Sequence, residues 1–137
     1  LHVSILIDTH VFLWAAGVDG RLPPGVRELL EDPDIPIFLS AVSAWEIAIK
    51  WSKGRLDLPL TPAALVKETI AAAGLTQLTV TIRDACAVGE LPFHHKDPFD
   101  RLLVAQARTN GLRLMTSDSI IGRYDVDVIA LWLDDDE

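Results

Sequence analysis

Hydrophobic positions along the chain alternate between two kinds of pattern. Short, β-branched apolar runs at residues 3–7, 35–39, 75–80, 112–116 and 126–130 predict strands, the last at a sheet edge. Between them lie stretches with helical spacing at residues 11–16, 23–30, 41–53, 62–73, 82–90 and 98–110. The helix starts carry their own signals. Ser40, Thr61, Thr81 and Asp97 are suited to cap, and Pro62 and Pro98 suit the first helical position. Gly74 and Gly111 suit the stops. Strands that alternate with helices predict a parallel sheet covered on both faces, because a parallel crossover needs a helix. The helix at 41–53 stands out. Val42, Trp45, Ile47, Ala48, Ile49 and Trp51 make most of its circumference apolar, while Ser43, Glu46, Lys50 and Lys53 form one narrow polar stripe. An acid in such a helix is costly to bury, so the stripe must face water, a groove or a metal.

A chain of 137 residues, half of them hydrophobic, predicts one domain, residues 1–137, with a substantial core. No apolar run is long enough to span a membrane and no leader pattern opens the chain, so a soluble, cytoplasmic protein is expected. Leu1 is an unusual first residue: either the start is missing or the initiator is written unusually. The one cysteine, Cys86, excludes an internal disulfide and a cysteine-based zinc cluster, and reads as a small core residue. The formal net charge of −8 argues against a protein that simply coats nucleic acid. Asp134-Asp135-Asp136-Glu137 reads as a solvated tail. The other acids are either spread over the surface or gathered, and gathered acids call for a cation.

Four acids have places that the pattern brings together. Asp8 and Asp118 each follow a strand directly, where open parallel sheets place ligands. Glu46 lies on the polar stripe, and Asp100 falls three residues after the Asp97 cap. Each has an ordinary explanation: helix caps for Asp8 and Asp118, an i,i+4 pair with Lys50 for Glu46, and a capping-box variant for Asp100. All four nonetheless fall at one edge of the predicted sheet. Carboxylates without cysteine or a convincing histidine set suit a hard cation, Mg²⁺ or Mn²⁺, and disfavour zinc. His10 reads as a partly exposed structural histidine, with a ligand as the alternative, and His94 and His95 read as loop histidines without a site role, with metal or RNA binding as the alternative. Lys50 and Lys53 read as solvated, with phosphate contact as the alternative. Phe12, Trp14, Trp45 and Trp51 are surplus aromatics that either pack in the core or line a groove.

These residues carry a resemblance. Asp8-Thr9-His10 after a hydrophobic strand, Ser43-Ala44-Trp45-Glu46-Ile47, Asp97-Pro98-Phe99-Asp100-Arg101-Leu102-Leu103 with Ala105-Gln106-Ala107, and Thr116-Ser117-Asp118 look like the PIN-domain nucleases. With Lys53-Gly54-Arg55-Leu56-Asp57-Leu58-Pro59 the chain more narrowly resembles the VapC-type toxins of bacterial toxin–antitoxin pairs. The resemblance implies a three-layer α/β/α sandwich with a mainly parallel sheet of four to five strands. It implies that Asp8, Glu46, Asp100 and Asp118 bind one or two Mg²⁺ or Mn²⁺ ions, with Thr116 supplying a hydroxyl that orients water or a carboxylate. Asp97 is a cap, with a supporting contact to a ligand as the alternative. The implied activity is endoribonuclease, hydrolysing RNA by metal-activated water to leave a 5′-phosphate and a 3′-hydroxyl, with Lys50, Lys53 and Arg101 near the RNA. The implied partners are a cognate VapB-type antitoxin and a second copy of the chain, with no membrane. Two other classes stay open: a non-catalytic PIN-like binding module, and an Asp-based phosphotransfer protein. Against the second, no acid follows two residues after Asp8 and no strand-end lysine is evident.

Overall fold

A computed structural model describes residues 3–18, 20 and 22–132. Five strands, β1 (Ile5–Ile7), β2 (Ile37–Ser40), β3 (Thr76–Leu78), β4 (Arg113–Thr116) and β5 (Val128–Ala130), form one sheet in the order β3-β2-β1-β4-β5. Every neighbouring pair is parallel. The chain runs outward from β1 through β2 to β3, then returns to β4 on the other side of β1. The reversal of direction therefore falls between β1 and β4, and their carboxyl ends flank the crevice where such sheets bind ligands.

Side-chain alternation along β1 divides the core. Ile5 and Ile7 face a cluster with Phe12, Leu13, Leu30, Leu65 and Met115, and Leu6 faces another with Leu103, Val104, Leu114 and Ile121. The first face is covered by α1 (Thr9–Ala15), α2 (Val26–Glu31) and α4 (Pro62–Ala73). The second is covered by α5 (Ile82–Ala87) and α6 (Pro98–Asn110). The helix α3 (Ala41–Ser52) contributes Ile47 to the first cluster and Val42 to the second. The expected three-layer α/β/α arrangement is the observed one. Among the described residues no helix is long and apolar enough to cross a membrane.

Capping follows the sequence closely. Ser40, Thr61, Thr81 and Asp97 each accept a backbone N–H at a helix start, and Gly74 and Gly111 end α4 and α6 in the left-handed conformation. Two helices differ from expectation. Residues 23–25 form a turn, closed by the Val26 N–H on the Pro23 carbonyl, and α2 begins only at Val26. A proline disfavours helix in the residue before it, so Pro24 keeps Pro23 out of the helix. The helix expected over 82–90 tightens after Ala87 into a 3₁₀ turn, Val88–Glu90, where the Arg101 guanidinium takes the Val88 carbonyl. Cys86 is exposed, not a core residue. The inward face of α5 is taken by Asp84, so the residue two positions on points outward. Leu1 and the acidic tail at 134–137 lie outside the described residues.

A buried polar network ties these layers together. The Ser40 hydroxyl donates to Gln106 Oε1, and Gln106 Nε2 donates to the Thr79 carbonyl (3.1 Å) and to Asp84 Oδ2 (3.2 Å). Asp84 also accepts from the Thr109 hydroxyl at 2.6 Å and from the Thr81 N–H at 3.1 Å. Burial alone would raise the Asp84 carboxyl, but these donors outweigh it and hold its pKa below the ordinary value. Asp84 therefore contributes stability that is present above about pH 4 and lost as pH falls through its lowered folded pKa. Replacing Gln106 by leucine leaves Asp84, Ser40 and the Thr79 carbonyl short of partners. The expected cost in urea unfolding is about 2–4 kcal/mol; a variant as stable as the parent would mean the network is dispensable.

Candidate metal centre

The first strand ends inside the protein, so the residue after it must turn the chain. Asp8 does this by capping α1, its Oδ1 accepting the Val11 N–H at 2.8 Å. Thr116, fully buried at the end of β4, acts to lower the Asp8 pKa. Its Oγ1 accepts the Asp118 N–H at 3.0 Å. Asp118 closes its own turn through Oδ1 on the Ile120 N–H (2.9 Å), which leaves Oδ2 facing inward. On α6, Asp97 carries out the capping with its Oδ1 on the N–H groups of Phe99 and Asp100. Asp100 is thereby released from that duty.

Glu46 arrives from α3. Its Oε1 accepts from the Thr9 hydroxyl at 2.7 Å and its Oε2 from Lys50 Nζ at 2.5 Å, while Thr9 Oγ1 lies 3.0 Å from the buried Ser43 hydroxyl. Of the polar stripe, Ser43 and Glu46 are buried, the exposed Lys50 lines a cleft with Glu46, and Lys53, just past the end of α3, is exposed. Asp8, Glu46, Asp97, Asp100 and Asp118 line one cleft of about 380 Å³, together with His10, Lys50, Arg55 and His95. All four acids singled out in the sequence line that cleft; Asp8 and Glu46 are almost fully buried.

Three sequence readings need correction here. His95 was given no site role, yet its Nε2 sits 2.7 Å from Asp118 Oδ2 and 3.2 Å from Asp100 Oδ2. These three residues offer donor atoms within 4.8 Å of one another. Arg101 was placed near the RNA, but it is 6% exposed and its guanidinium is spent on carbonyls of residues 88–92 and on the Tyr124 hydroxyl. Phe12 is wholly buried core, so it cannot line a surface groove; Trp14 is half-buried against the same core, whereas Trp45 and Trp51 are exposed. Thr9 and Arg55 also went unremarked as site residues. The signal for Thr9 was its position one residue after Asp8, facing the helix that carries Glu46.

Electrostatics give the cleft its character. Burial raises the Asp8 carboxyl above the usual carboxylate range, against the hydrogen bonds from Thr116 and the Val11 N–H. Burial also pushes Asp100 up to about 7, with repulsion from Asp97, Glu46 and Asp8 adding to it and His95 working the other way. Lys50 is the counterweight. Its partial burial would lower the ammonium's pKa, but the hydrogen bond and attraction of Glu46 prevail and raise it. Crowded oxygen donors whose ionisation is opposed by burial and by one another fit a hard divalent cation, and no cysteine lines the cleft.

The Asp100 shift has a stability consequence with a definite sign. An acid whose folded pKa is raised binds more protons folded than unfolded between about pH 4 and pH 7, so stability falls as pH rises through that window. Asp100→Asn removes this fall. In EDTA at pH 8 the variant should exceed the parent by on the order of 2–3 kcal/mol, and the two should converge near pH 4. Parallel melting curves across the range would contradict the assignment of strain to Asp100.

Comparison with known proteins bears on the fold and the family. A curated relative, Ribonuclease VapC22 of Mycobacterium tuberculosis, is 27% identical over 115 residues, covering 84% of this chain and 87% of that protein. Among solved structures, VapBC2 from Rickettsia felis bound to a DNA fragment from its promoter is similar with a TM-score of 0.71 at 15% identity, over 93% of this chain and 98% of that one. DNA-bound VapBC from Salmonella typhimurium follows with a TM-score of 0.66 at 15% identity, over the same shares. At these identities the likeness is one of fold. The sequence model of the PIN domain matches residues 5–127, nearly the whole chain, and the chain belongs to the PIN domain family.

Proposed function

We propose that this chain, as a single nuclease domain, is a VapC-type endoribonuclease, the toxin of a toxin–antitoxin pair. The observation that carries the reading is the convergence of Asp8, Glu46, Asp100 and Asp118 on one cleft at the reversal point of a parallel sheet. The PIN family membership and the ribonuclease relative support it. In this reading those four carboxylates hold Mg²⁺ or Mn²⁺, as one ion or two. A divalent cation bound there supplies Lewis acidity toward water and phosphate at neutral pH.

The chain's own groups do the rest. The Val11 N–H fixes the Asp8 carboxylate and the Thr116 hydroxyl fixes the Asp118 backbone, so both acids are held at the ends of the central strands. Thr9 and Lys50 hold both oxygens of Glu46. Lys50 and Arg55 line the cleft and supply positive charge to an RNA backbone approaching an otherwise acidic surface. Arg101 takes no part in that contact. The partners we propose are a cognate VapB-type antitoxin, from the likeness to VapBC assemblies, and a second copy of the chain.

The test is cleavage of a structured RNA mixture by purified, partner-free protein in Mg²⁺, Mn²⁺ or EDTA. Cutting is expected only with the cations, and Asp8→Asn and Asp118→Asn should fall to the EDTA level while retaining the parent's circular dichroism. Cutting that survives Asp8→Asn would defeat the site assignment. Cation binding without any turnover would identify a binding module instead.

A further inference from the structure

The segment between α5 and α6 is fastened far more tightly than a surface connection requires. Arg101 Nη1 donates to the Pro92 carbonyl at 2.8 Å, and the Phe93 ring lies over the guanidinium, 4.4 Å away. The His94 ring meets the Tyr124 ring edge-on at 4.9 Å. The His95 N–H donates to the Tyr124 hydroxyl at 2.8 Å, and Arg101 Nη1 donates to the same oxygen at 3.2 Å. Burying a guanidinium against carbonyls and a phenol, with none of its hydrogen bonds among the described residues going to a carboxylate, is costly. Four successive residues, 92 to 95, are held by this Arg101–Tyr124 pair, and the last of them sends its ring into the acidic cleft.

Geometry selects one tautomer of the neutral ring. His95 Nδ1 accepts the Asp97 N–H at 3.1 Å, so Nδ1 bears no proton and the neutral ring carries it on Nε2. Nε2–H then donates to Asp118 Oδ2 at 2.7 Å, with Asp100 Oδ2 at 3.2 Å. A nitrogen that bears a proton has no lone pair for a cation. His95 is therefore built as a donor to the carboxylates and not as a ligand.

We propose that Arg101 and Tyr124 are positioning residues for His95, whose Nε2–H holds Asp118 and Asp100 at the spacing from which they bind the cation. This rests on the reading of the cleft as a cation site, and it makes His95 a supporting contact of the kind that orients ligating groups. Through its backbone N–H and its ring, this one residue links the buried Arg101–Tyr124 pair, the α6 cap and two acids.

The test combines two readouts on the full chain. Long-range ¹⁵N spectra of the imidazole rings at pH 7.5, with His95 assigned by loss of its signals in His95→Ala, should show Nε2 protonated and Nδ1 bare. A His95 ring protonated on Nδ1 in the parent overturns the proposal. In Tyr124→Phe the His95 signals should shift toward a mixture of tautomers; an unchanged tautomer with unchanged Mn²⁺ affinity removes Tyr124 from the role. Mn²⁺ binding followed by electron paramagnetic resonance should weaken about tenfold in His95→Ala. His95→Gln, whose amide nitrogen can donate from a similar place, should recover most of that loss, which a merely structural histidine would not predict. Equal or tighter Mn²⁺ binding in His95→Ala overturns the proposal. Failure of the parent itself to bind Mn²⁺ would instead overturn the cation reading, and the tautomer measurement separates that outcome from this one.

Discussion

Like charges gathered in a low-dielectric cleft are the constraint on which this structure turns. Asp8 and Asp100 are both pushed toward protonation by burial, and Asp100 further by its neighbours. Around them the chain places compensations of limited strength: the Thr116 hydroxyl, the Val11 N–H, Lys50 against Glu46 and the His95 ring against Asp118. None of these neutralises the cluster. A fold that tolerates such an arrangement gives up stability at neutral pH, and a bound cation is the interaction that would return it.

The two explanations available for each acid turn out not to compete. A carboxylate has two oxygens, and in Asp118 one closes a backbone turn while the other faces His95. Capping is what fixes the direction of the free oxygen. At the start of α6 the same economy is divided between two residues, Asp97 capping and Asp100 facing the cleft. Local helix-start rules and the site are therefore parts of one arrangement.

This explains why so much was legible beforehand. Strand and helix periodicity located every element of the sheet order's members, and the acids could be placed because each sits at an element's end, where caps and strand stops mark the chain. What was not legible depends on contacts between distant segments. His95 lies in a connection with no period of its own, and its value comes from Tyr124, twenty-nine residues later. Arg101 follows the acidic motif and carries a charge, which suggests RNA; its burial depends on the Val88, Leu91 and Pro92 carbonyls that the 3₁₀ turn after α5 and the residues following it present to the guanidinium. Cys86 looked internal because cysteines usually are, but α5 has only one inward face and Asp84 occupies it. Side-chain type alone does not decide such positions.

Anomalous diffraction from crystals grown or soaked with Mn²⁺ tests whether the four carboxylates hold a catalytic cation. A strong anomalous peak is expected in the cleft, within coordination distance of oxygens from at least three of Asp8, Glu46, Asp100 and Asp118. A fully occupied Mn²⁺ elsewhere, with the cleft empty and the Lys50–Glu46 and His95–Asp118 contacts unchanged, would contradict it.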